Sequence, residues 1–440
     1  MSASLNKRGF LKSSIAAQIS ACVRYYDSLT QYRPLDHDDG SLLEAIDCQR
    51  KVRFANGDAF PSHRGDPKRR DAVLLNGTLN YSLDAQGLLS ELLPSLSRSS
   101  RAIVVLYNPY FKLLYLLANK LGLRKAPVPT TFLTSGDMQT LARLSGYEVV
   151  DYSLCGYSPW KAAGLGRLVN AVCSVLPLVR WLAYSCIVTL RPVMPYGSRP
   201  GLSIVIPARN EFGNIEAALQ RMPNLDCPLE IVFIEGHSND GTWEEIERVR
   251  VAYGDRFRII SRQQTGKGKS DAVRLGFSIA TMPVLTILDA DLTMPPEMLS
   301  RFYNAYVDGL GDFINGSRLV YPMEGEAMRF LNHLGNIFFA KSLSYVLNTT
   351  LGDSLCGTKL LARQDYDRMV AWRGHFGDFD PFGDFELLFP AAILHLGVVN
   401  IPIRYAARTY GSTNISRFRH GFQLLRMTTI GFVRIKCRLG

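Results

Sequence analysis

The chain has 440 residues, 47% of them apolar and 20% charged, which is enough for two or three globular domains and excludes a disordered chain. Its net charge of +11 favours an anionic partner, such as a phosphorylated substrate, an acidic membrane surface or nucleic acid, although general solubility explains the same excess. The eight cysteines form no C-x-x-C pair, which argues against a zinc site or a disulfide framework and indicates a reducing, cytoplasmic compartment.

Strand and helix signals alternate between residues 71 and 150. Two short apolar runs, DAVLLNGTL and AIVVLYNP, predict buried strands, and two segments with helical periodicity, LLSELLPSL and MQTLARLSGY, predict amphipathic helices. Such alternation is typical of a doubly wound parallel sheet. We therefore predict an α/β domain over residues 1–165.

An apolar segment runs from Leu168 to Leu190, and a linker rich in proline and glycine, RPVMPYGSRPG, follows it directly at residues 191–201. The segment is long enough to span a bilayer, but Pro177 and Arg180 lie in its middle, and a central arginine costs about 2.5 kcal/mol or more in a membrane. We expect a helix that packs in the core or lies on a membrane surface. Residues 166–200 are thus predicted to form an apolar helical segment and a linker between two domains.

The alternation restarts after the linker. The runs LSIVIPA, LEIVFIEG, FRIISR and VLTILDAD predict four strands, and NIEAALQRM, DGTWEEIERVRVAY and SDAVRLGFSIA predict the helices between them. Three βα units that feed a fourth strand begin an open α/β sheet, whose ligands bind at the carboxyl ends of the strands. Residues 201–440 are predicted to form this second α/β domain.

Acidic side chains follow three of these strands at the point where each strand ends. Glu211 follows the first, Glu235 and Asp240 follow the second, and Asp289 and Asp291 follow the fourth. Each loop alone could be a solvated turn, but their succession favours one site. Two neighbouring carboxylates repel each other unless a cation neutralises them, and Mg²⁺ binds one or two carboxylates and completes its shell with phosphate oxygens. We predict that Asp289 and Asp291 bind Mg²⁺ or Mn²⁺ together with a diphosphate.

The loop after the third strand, QTGKGKSDA, adds two lysines on a flexible glycine backbone. Lys267 and Lys269 suit phosphate contact, and Asp271 lies at the start of the following helix, at the same edge of the sheet. The spacing is not that of a P-loop. We assign all three residues to the predicted substrate site.

Residues 202–436 resemble the family 2 glycosyltransferases of the GT-A fold, and among them the dolichyl-phosphate or polyprenyl-phosphate mannose and glucose synthases. The segments IVIPARNE, IEGHSNDGT, ILDADLTMPPE, NGSR and RTYGSTN carry this resemblance. It implies a GT-A nucleotide-diphospho-sugar transferase fold, a nucleotide-sugar donor linked to UDP or GDP, a divalent metal, and inversion at the anomeric carbon.

The resemblance also implies that a set of residues binds the donor. They are Pro207, Arg209 and Glu211 for the base, Ile234 and Glu235 for the base and ribose, Asp289, Ala290 and Asp291 for the ribose, metal and diphosphate, and Arg318 for the diphosphate or sugar. Three positions depart from the family pattern. The family often has two adjacent acids after the second strand, and here the two residues are Glu235 and Gly236, so the choice of base stays open. Arg209 stands where the mannose synthases commonly have Tyr, and Thr293 replaces a common Gln.

A candidate general base lies in the segment GDFDPFGDFELLF. Inverting transfer to a hydroxyl group needs a base on the face opposite the leaving group, and GDFELL resembles the acid-rich helix start that carries this base in the family. We assign a catalytic role to Asp384 as the base, and a second catalytic role to Asp291 as a residue that holds the metal and diphosphate of the donor. An ordinary helix N-terminus with acidic caps explains the same pattern, and an anionic lipid-phosphate acceptor would need no base.

The segment RTYGSTNISRFRHGF resembles the R-x-x-G-x-S-K pattern of the lipid-phosphate transferases. The resemblance assigns Arg408 and Asn414, with Arg417 nearby, to substrate binding. Apolar residues that include Phe422 and Leu425 then recur on one helix face with arginines off it, which predicts a basic amphipathic helix on an acidic membrane surface. A helix packed on its own domain fits the same spacing.

The N-terminal half resembles the second half of a class I methyltransferase, through GDAF, DAVLLNGTLNYSLDAQGLLSELLPSL, AIVVLYNP and FLTSGDMQTLARLSGYEVVDY. That family holds S-adenosylmethionine with a strand and a G-x-G loop, and no G-x-G lies in residues 1–70. The segment HDDGSLLEAI resembles a remnant of that loop, and the chain before FANGDAF is too short for a full first pair of strands. We predict a degenerate, partial Rossmann-like methyltransferase domain without methyltransferase activity or bound S-adenosylmethionine.

Together these patterns predict a metal-dependent, inverting glycosyltransferase that acts on polyprenyl phosphate or another membrane-associated acceptor and lies at the inner face of the membrane. We expect no nucleic-acid partner, because the sequence has no aromatic and basic platform of the single-strand-binding type. Two alternatives stay open, a nucleotidyltransferase on the same sheet and a non-catalytic scaffold at the membrane.

Overall fold

The computed structural model describes residues 2–54, 69–122, 127–158, 161, 164–176, 179–322, 330–376, 383–408, 410 and 417–436. The chain divides into two compact units, Met1–Met194 and Pro195–Ile435. Over the residues described, none of the helices combines the length and the apolar character needed to cross a lipid bilayer.

The first unit is an α/β domain with a six-stranded sheet. Its helices are α1 (Ser2–Val23), α2 (Ser41–Ala45), α3 (Ala85–Leu92), α4 (Lys112–Lys120), α5 (Ser135–Leu144) and α6 (Leu165–Val175). Its strands are β1 (Ser28–Gln31), β2 (Lys51–Arg53), β3 (Asp71–Asn76), β4 (Arg101–Tyr107), β5 (Tyr147–Cys155) and β6 (Ser185–Pro192). In the sheet order β2-β1-β3-β4-β6-β5, the first four strands pair in parallel, and β6 runs antiparallel to β4 and β5.

Helices cover both faces of this sheet, which is why β3 and β4 are continuous apolar runs. Val73 and Leu75 of β3 pack on one face with residues of α3 and α5. Ala72 and Leu74 pack on the opposite face with residues of α1 and α2. The predicted doubly wound α/β arrangement of this half is therefore confirmed.

One prediction for the first unit is wrong. The segment from Leu168 to Leu190 is not a single helix, because α6 ends at Val175 and residues 185–192 form β6, which is buried along its whole length. A buried strand and a buried helix are both continuous apolar runs, so hydrophobic periodicity does not distinguish them. The chain before FANGDAF does form two strands, β1 and β2, which are parallel and flank α2, but they are only four and three residues long, in line with the prediction that it is too short for a full pair.

The second unit is an α/β domain with a seven-stranded sheet. Its helices are α7 (Phe212–Gln220), α8 (Thr242–Ala252), α9 (Lys269–Ile279), α10 (Leu299–Val307), α11 (Phe330–Leu347), α12 (Arg363–Phe376), α13 (Phe385–Ile393) and α14 (Arg417–Gly431). Its strands are β7 (Leu202–Ala208), β8 (Leu229–Glu235), β9 (Arg258–Gln263), β10 (Val284–Ile287), β11 (Phe313–Ser317), β12 (Lys359–Ala362) and β13 (Val398–Pro402). The four strands and three helices predicted after the linker are confirmed as β7–β10 and α7–α9.

The order of the second sheet, β13-β11-β12-β10-β7-β8-β9, creates a topological switch point. From β7 the chain moves outward through β8 and β9 on one side and then returns to place β10 on the other side of β7, all in parallel. In open α/β sheets ligands bind outside the carboxyl ends of the strands at such a point. The loops after β7 and β10 therefore define where a ligand is expected.

Helix α9 lies unusually close to this sheet. A Cβ atom at Gly276 would collide with the side chain of Val205 on β7, so only glycine permits the observed approach. This close packing fixes the position of Lys269, the first residue of α9, at the carboxyl edge of the sheet.

Candidate active site

The loops after β7 and β10 are joined by an arginine from far along the chain. The Arg408 guanidinium lies 2.6 Å from Oδ2 of Asp291 and 3.3 Å from Oε1 of Glu211. Burial raises the pKa of Glu211, although the amide of Asn214, which donates to its Oε2 at 2.7 Å, and Arg408 both act against that rise. Both strand ends at the switch point thus present carboxylates to one cation.

Thr293 holds Asp291 in place from within the same loop. Its backbone N–H and its hydroxyl donate to Oδ1 of Asp291 at 3.1 and 2.8 Å. Leu292 between them has a φ of 53°, in the left-handed region that a leucine rarely adopts. Such strain persists where the surrounding structure enforces it, and it is frequent at functional sites.

Asp289, the other aspartate of the pair, is bound by a lysine. Its Oδ1 lies 2.5 Å from Nζ of Lys269. Burial alone would raise the pKa of Asp289, but Lys269 together with Lys359 and Arg318 outweighs burial, and the resulting pKa is lowered. A Cβ atom at Gly357 would collide with both charged groups, so this glycine leaves the space that they occupy.

A second, more deeply buried ion pair lies beside the first. Asp384 precedes α13, and its Oδ1 is 2.5 Å from Nζ of Lys359, a lysine with no exposed surface. Gly383 lies against Ser270 of α9, and Asp384 contributes to the electrostatic field at Lys269. The candidate base therefore stands close to the aspartate pair, with one oxygen held by Lys359.

Arg318 forms a further ion pair of the site, with Asp353. Its guanidinium binds Asp353 through two hydrogen bonds of 2.6 and 3.0 Å, and it lies 5.4 Å from the ring centroid of Tyr405. Burial would raise the pKa of Asp353, but Arg318 outweighs burial and lowers it. The arginine that the sequence assigned to the diphosphate is thus held rigidly by a fully buried carboxylate.

The site contains many charged side chains, and their negative and positive charges nearly cancel. It contains five carboxylates, of Glu211, Asp289, Asp291, Asp353 and Asp384, and four cations, of Lys269, Arg318, Lys359 and Arg408. The repulsion predicted between Asp289 and Asp291 is relieved here by separate basic side chains, Lys269 and Arg408. A ligand or cation that engages either aspartate would exchange with these partners.

The carboxylates of the site fit a hard divalent cation only if other ligands complete its coordination shell. Over the described part of the chain, no group of three or more His, Cys, Asp or Glu side chains is arranged to hold a metal. Two carboxylates two residues apart do suffice for Mg²⁺ or Mn²⁺ when phosphate oxygens and water supply the remaining ligands. The residues therefore fit a cation that arrives with a diphosphate.

Seven of the predicted site residues lie together at this edge of the sheet. They are Glu211, Lys269, Asp289, Asp291, Arg318, Asp384 and Arg408. Sequence position alone indicated that the first four would meet, because each lies at the carboxyl end of a parallel strand or opens the helix after one.

The other predicted residues are placed differently. Ile234 and Ala290 are buried in the core, and Ile234 packs towards Gly276 of α9, so its side chain cannot touch a ligand. Glu235 is also buried, and it accepts hydrogen bonds from the Ser238 backbone and the Gln263 amide. Its contact with the base and ribose stays a prediction.

The remaining assignments fall at the margin of the site or beyond the described residues. Pro207 is half-buried on β7, while Arg209 and Lys267 are exposed. Asp271 lies under the loop at Gly266, where an added Cβ atom would approach its carboxyl group to 2.6 Å. Asn414 lies outside the described residues, and only the backbone of Arg417, at the start of α14, is described.

Sequence reasoning missed the segment LGDSLCGTKLLA, which supplies Asp353, Gly357 and Lys359 to the site. It leads into β12, the antiparallel strand between β10 and β11. A lysine at the start of an otherwise apolar strand was an available signal, because a buried lysine requires a partner.

The predicted C-terminal amphipathic helix is confirmed as a helix, α14. Leu424 and Met427 are buried against the second unit, whereas Phe422 and Leu425 are 72% and 48% exposed. The helix thus packs on its own domain through one face and presents a small apolar pair on another.

Comparison with known proteins identifies the class of enzyme. The family model described as glycosyl transferase family 2 matches residues 203–369. A dolichyl-phosphate hexose transferase of Haloferax volcanii is 30% identical over 223 residues, which are 50% of this chain and 89% of that protein. A dolichol-phosphate mannosyltransferase of Pyrococcus furiosus is 36% identical over 121 residues, but this chain spans only 33% of its length. The chain belongs to glycosyltransferase family 2.

Solved structures with a similar fold include two sugar transferases. A mannosyltransferase of Pyrobaculum calidifontis, in complex with GDP-Man and Mn²⁺, is 19% identical, with 56% of this chain and 67% of that chain covered and a TM-score of 0.38. Glucosyl-3-phosphoglycerate synthase of Mycobacterium tuberculosis, in complex with Mn²⁺, UDP-glucose and phosphoglyceric acid, is 17% identical, with 55% and 81% covered and a TM-score of 0.38.

Proposed function

We propose that the chain transfers a sugar, with inversion and with the help of a divalent metal, from a nucleotide-sugar donor to polyprenyl phosphate or another membrane-associated acceptor. The observation that carries the proposal is the position of Asp289 and Asp291 at the switch point, within reach of Lys269 and Arg408. Carboxylates and cations alternating at the carboxyl edge of an α/β sheet suit a metal–diphosphate group.

Each side chain has a distinct part in this proposal. Asp289 and Asp291 would hold Mg²⁺ or Mn²⁺, and such a cation would neutralise negative charge on the departing diphosphate. Lys269 and Arg408 turn from these carboxylates to the phosphate oxygens when the donor binds. Arg318 stays fixed by Asp353 and faces the same group as a preorganised positive charge.

Asp384 is the candidate base for an acceptor hydroxyl. Lys359 holds one carboxylate oxygen at 2.5 Å, which orients the group and leaves the other oxygen to meet an acceptor. With a lipid phosphate as acceptor, the nucleophile is already ionised, and Asp384 then positions groups without accepting a proton.

The relatives support a lipid-linked acceptor. The Haloferax and Pyrococcus proteins carry names that refer to dolichyl or dolichol phosphate, and the net charge of +11 suits an anionic substrate at an anionic surface. A peripheral position at the inner face of the membrane is part of the proposal.

The first unit is proposed to be a degenerate methyltransferase-like domain. It has a cleft of about 420 Å³ whose lining includes Arg33 and Asp36 after β1 and Thr78 and Tyr81 near the end of β3. The loop after β1 lacks a G-x-G pattern, so we expect no S-adenosylmethionine binding. Calorimetric titration of the full chain with S-adenosylmethionine tests this, and a micromolar dissociation constant would contradict it.

The enzymatic proposal is tested by incubating purified protein with Mn²⁺ or Mg²⁺ and a panel of UDP- and GDP-linked sugars, with and without a short-chain polyprenyl phosphate. We expect release of nucleoside diphosphate from one donor, a glycosylated lipid phosphate as the product, and loss of both in Asp289→Ala. Release of inorganic pyrophosphate would instead indicate a nucleotidyltransferase. No turnover of any donor, with Asp289→Ala indistinguishable from the wild type in nucleotide binding, would indicate the non-catalytic scaffold.

A further inference from the structure

Helix α4 of the first unit turns its apolar side outward. Leu113, Leu114, Leu117 and Leu121 are 52–79% exposed, and α4 has no buried residue. At about 100° per residue these leucines span an arc of about 100°, the width of the stripe that a surface helix normally buries against its core. The exposed stripe is therefore unusual for a folded domain.

Helix α6 repeats this arrangement. Leu165, Leu168, Val172 and Leu176 recur at intervals of three or four residues and are 43–59% exposed. Gly166 is the one residue of α6 that is buried. Two separate amphipathic helices of the same unit thus leave their apolar stripes in solvent.

A short turn joins the two helices into one surface. Trp181 stacks on Tyr110, which lies just before α4, with ring centroids 5.2 Å apart. The Asn108 amide donates to the carbonyls of Trp181 and Ala183 at 2.8 and 2.6 Å, and α6 contacts the same turn. We name the exposed apolar side chains of α4, α6 and residues 181–182 the outer leucine surface. So many exposed large apolar side chains on two helices linked by one turn are typical of an interaction site.

The charge around the outer leucine surface has one sign. The sequence contains no Asp or Glu from Asn108 to Gly136, nor from Tyr152 to Asn210. Lys112, Lys120, Lys161 and Arg167 are exposed on or beside these helices. A second copy of the chain docked face to face would bring the same basic residues together without an acidic partner. An anionic, apolar surface satisfies both the leucines and the basic residues.

We propose that the outer leucine surface binds an anionic lipid bilayer, with α4 and α6 lying in the plane of the interface. The leucines enter the boundary between headgroups and acyl chains, and the basic side chains contact lipid phosphates. Trp181 and Tyr110 lie between the helices, and such rings favour the level of the headgroups. This inference rests on the membrane-associated part of the proposed function and adds that the first unit makes the contact.

Vesicle flotation of the full chain tests the proposal. The vesicles are phosphatidylcholine alone or a mixture with phosphatidylglycerol. We expect the wild type to float with the anionic vesicles, and Leu113→Gln/Leu117→Gln to bind about tenfold more weakly for each leucine. Both leucines are exposed, so the variant folds as the wild type does. Lys112→Gln/Lys120→Gln should weaken binding to anionic vesicles and reduce its sensitivity to salt.

The matched control is Phe422→Gln/Leu425→Gln, which changes the exposed apolar pair of α14. Equal flotation of Leu113→Gln/Leu117→Gln and the wild type would overturn the proposal, as would loss of binding in the α14 variant alone. The proposal would also be overturned if sedimentation velocity showed that the wild type is a dimer and that Leu113→Gln/Leu117→Gln is a monomer, because the leucines would then bind a second copy of the chain. Turnover of the nucleotide sugar with a detergent-dispersed acceptor is measured in parallel. Normal turnover without flotation refutes only this inference, and flotation through α4 without turnover refutes only the enzymatic proposal.

Discussion

Gly357→Ala is expected to damage the donor site while leaving the fold largely intact. The backbone of Gly357 is outside the left-handed region, so alanine causes no backbone strain there. Its Cβ atom would instead collide with Nζ of Lys269 and Oδ2 of Asp289, and would lie 3.0 Å from Cγ of Asp289. The end of the Lys269 side chain can move at little cost. The Asp289 carboxylate belongs to a short loop, so its displacement also shifts that loop.

The size of the effect follows from these contacts. Displacement of a reacting or positioning group by about 1 Å costs about a hundredfold in rate, so we expect kcat/KM for the donor to fall by about that factor. Overpacking of a tight site costs about 1–3 kcal/mol of unfolding free energy, and the mobile lysine favours the lower end. The assay is the initial rate of nucleoside diphosphate release, with thermal unfolding followed by circular dichroism.

The matched control is Gly335→Ala on α11, where an added Cβ atom meets nothing within 4 Å. It should retain wild-type kinetics and should not lower the melting temperature, because alanine favours a helix more than glycine does. If Gly357→Ala keeps kcat/KM within a factor of about two, Asp289 and Lys269 do not hold the donor, and the reasoning fails.

Three other substitutions probe the ion pairs and the loop. Lys359→Met leaves the buried Asp384 carboxylate without its partner and should lower the free energy of unfolding in urea by about 3–5 kcal/mol. The double variant Lys359→Met/Asp384→Leu should recover most of that free energy. If it recovers none, the broken ion pair is not the cause of the loss. Because Arg318 lowers the pKa of Asp353, the stability from this pair is complete above the unfolded pKa of about 4 and is lost as pH falls below it. The difference in unfolding free energy between wild type and Asp353→Asn should thus be largest near neutral pH and shrink in acid; a difference that is constant with pH contradicts this assignment. Thr293→Val removes the hydroxyl that orients Asp291 and should lower Mn²⁺-dependent activity by about 10–100-fold. Thr293→Ser keeps a hydroxyl and should remain close to the wild type. Equal activity of the two variants would exclude a role for the hydroxyl.

The parallel core of the second unit could be predicted because local patterns determine it. Apolar runs of strand length alternate with helical periodicity from Leu202 to Ile287, and the carboxyl ends of parallel strands meet at one edge. Asp289, Asp291 and Lys269 followed from that rule alone. Asp384, Arg318 and Arg408 came from the family resemblance.

The parts that could not be predicted depend on pairing between distant segments. Lys359 and Asp353 reach the site only because β12 enters the sheet antiparallel between β10 and β11, and nothing local specifies that insertion. In the first unit, β6 was predicted as helix because strands β4 and β5 pair with its two edges and helices cover its two faces, and neither contact is visible in a continuous apolar run. The counter-charges of Asp289 and Asp291 were missed for a related reason, since Arg408 lies 117 residues beyond its partner.

That separation has a consequence for the order in which the enzyme is made. During synthesis, at about 5–20 residues per second, Asp289 and Asp291 emerge well before Arg408 does. Until then Asp289 can pair with Lys269, but Asp291 has no Arg408 to link it to Glu211. A ribosome-bound chain can therefore complete strands β7–β10 while its donor pocket is still open on one side. On the proposed function, competence to bind a nucleotide sugar is therefore acquired only after the segment that carries Arg408 has been translated.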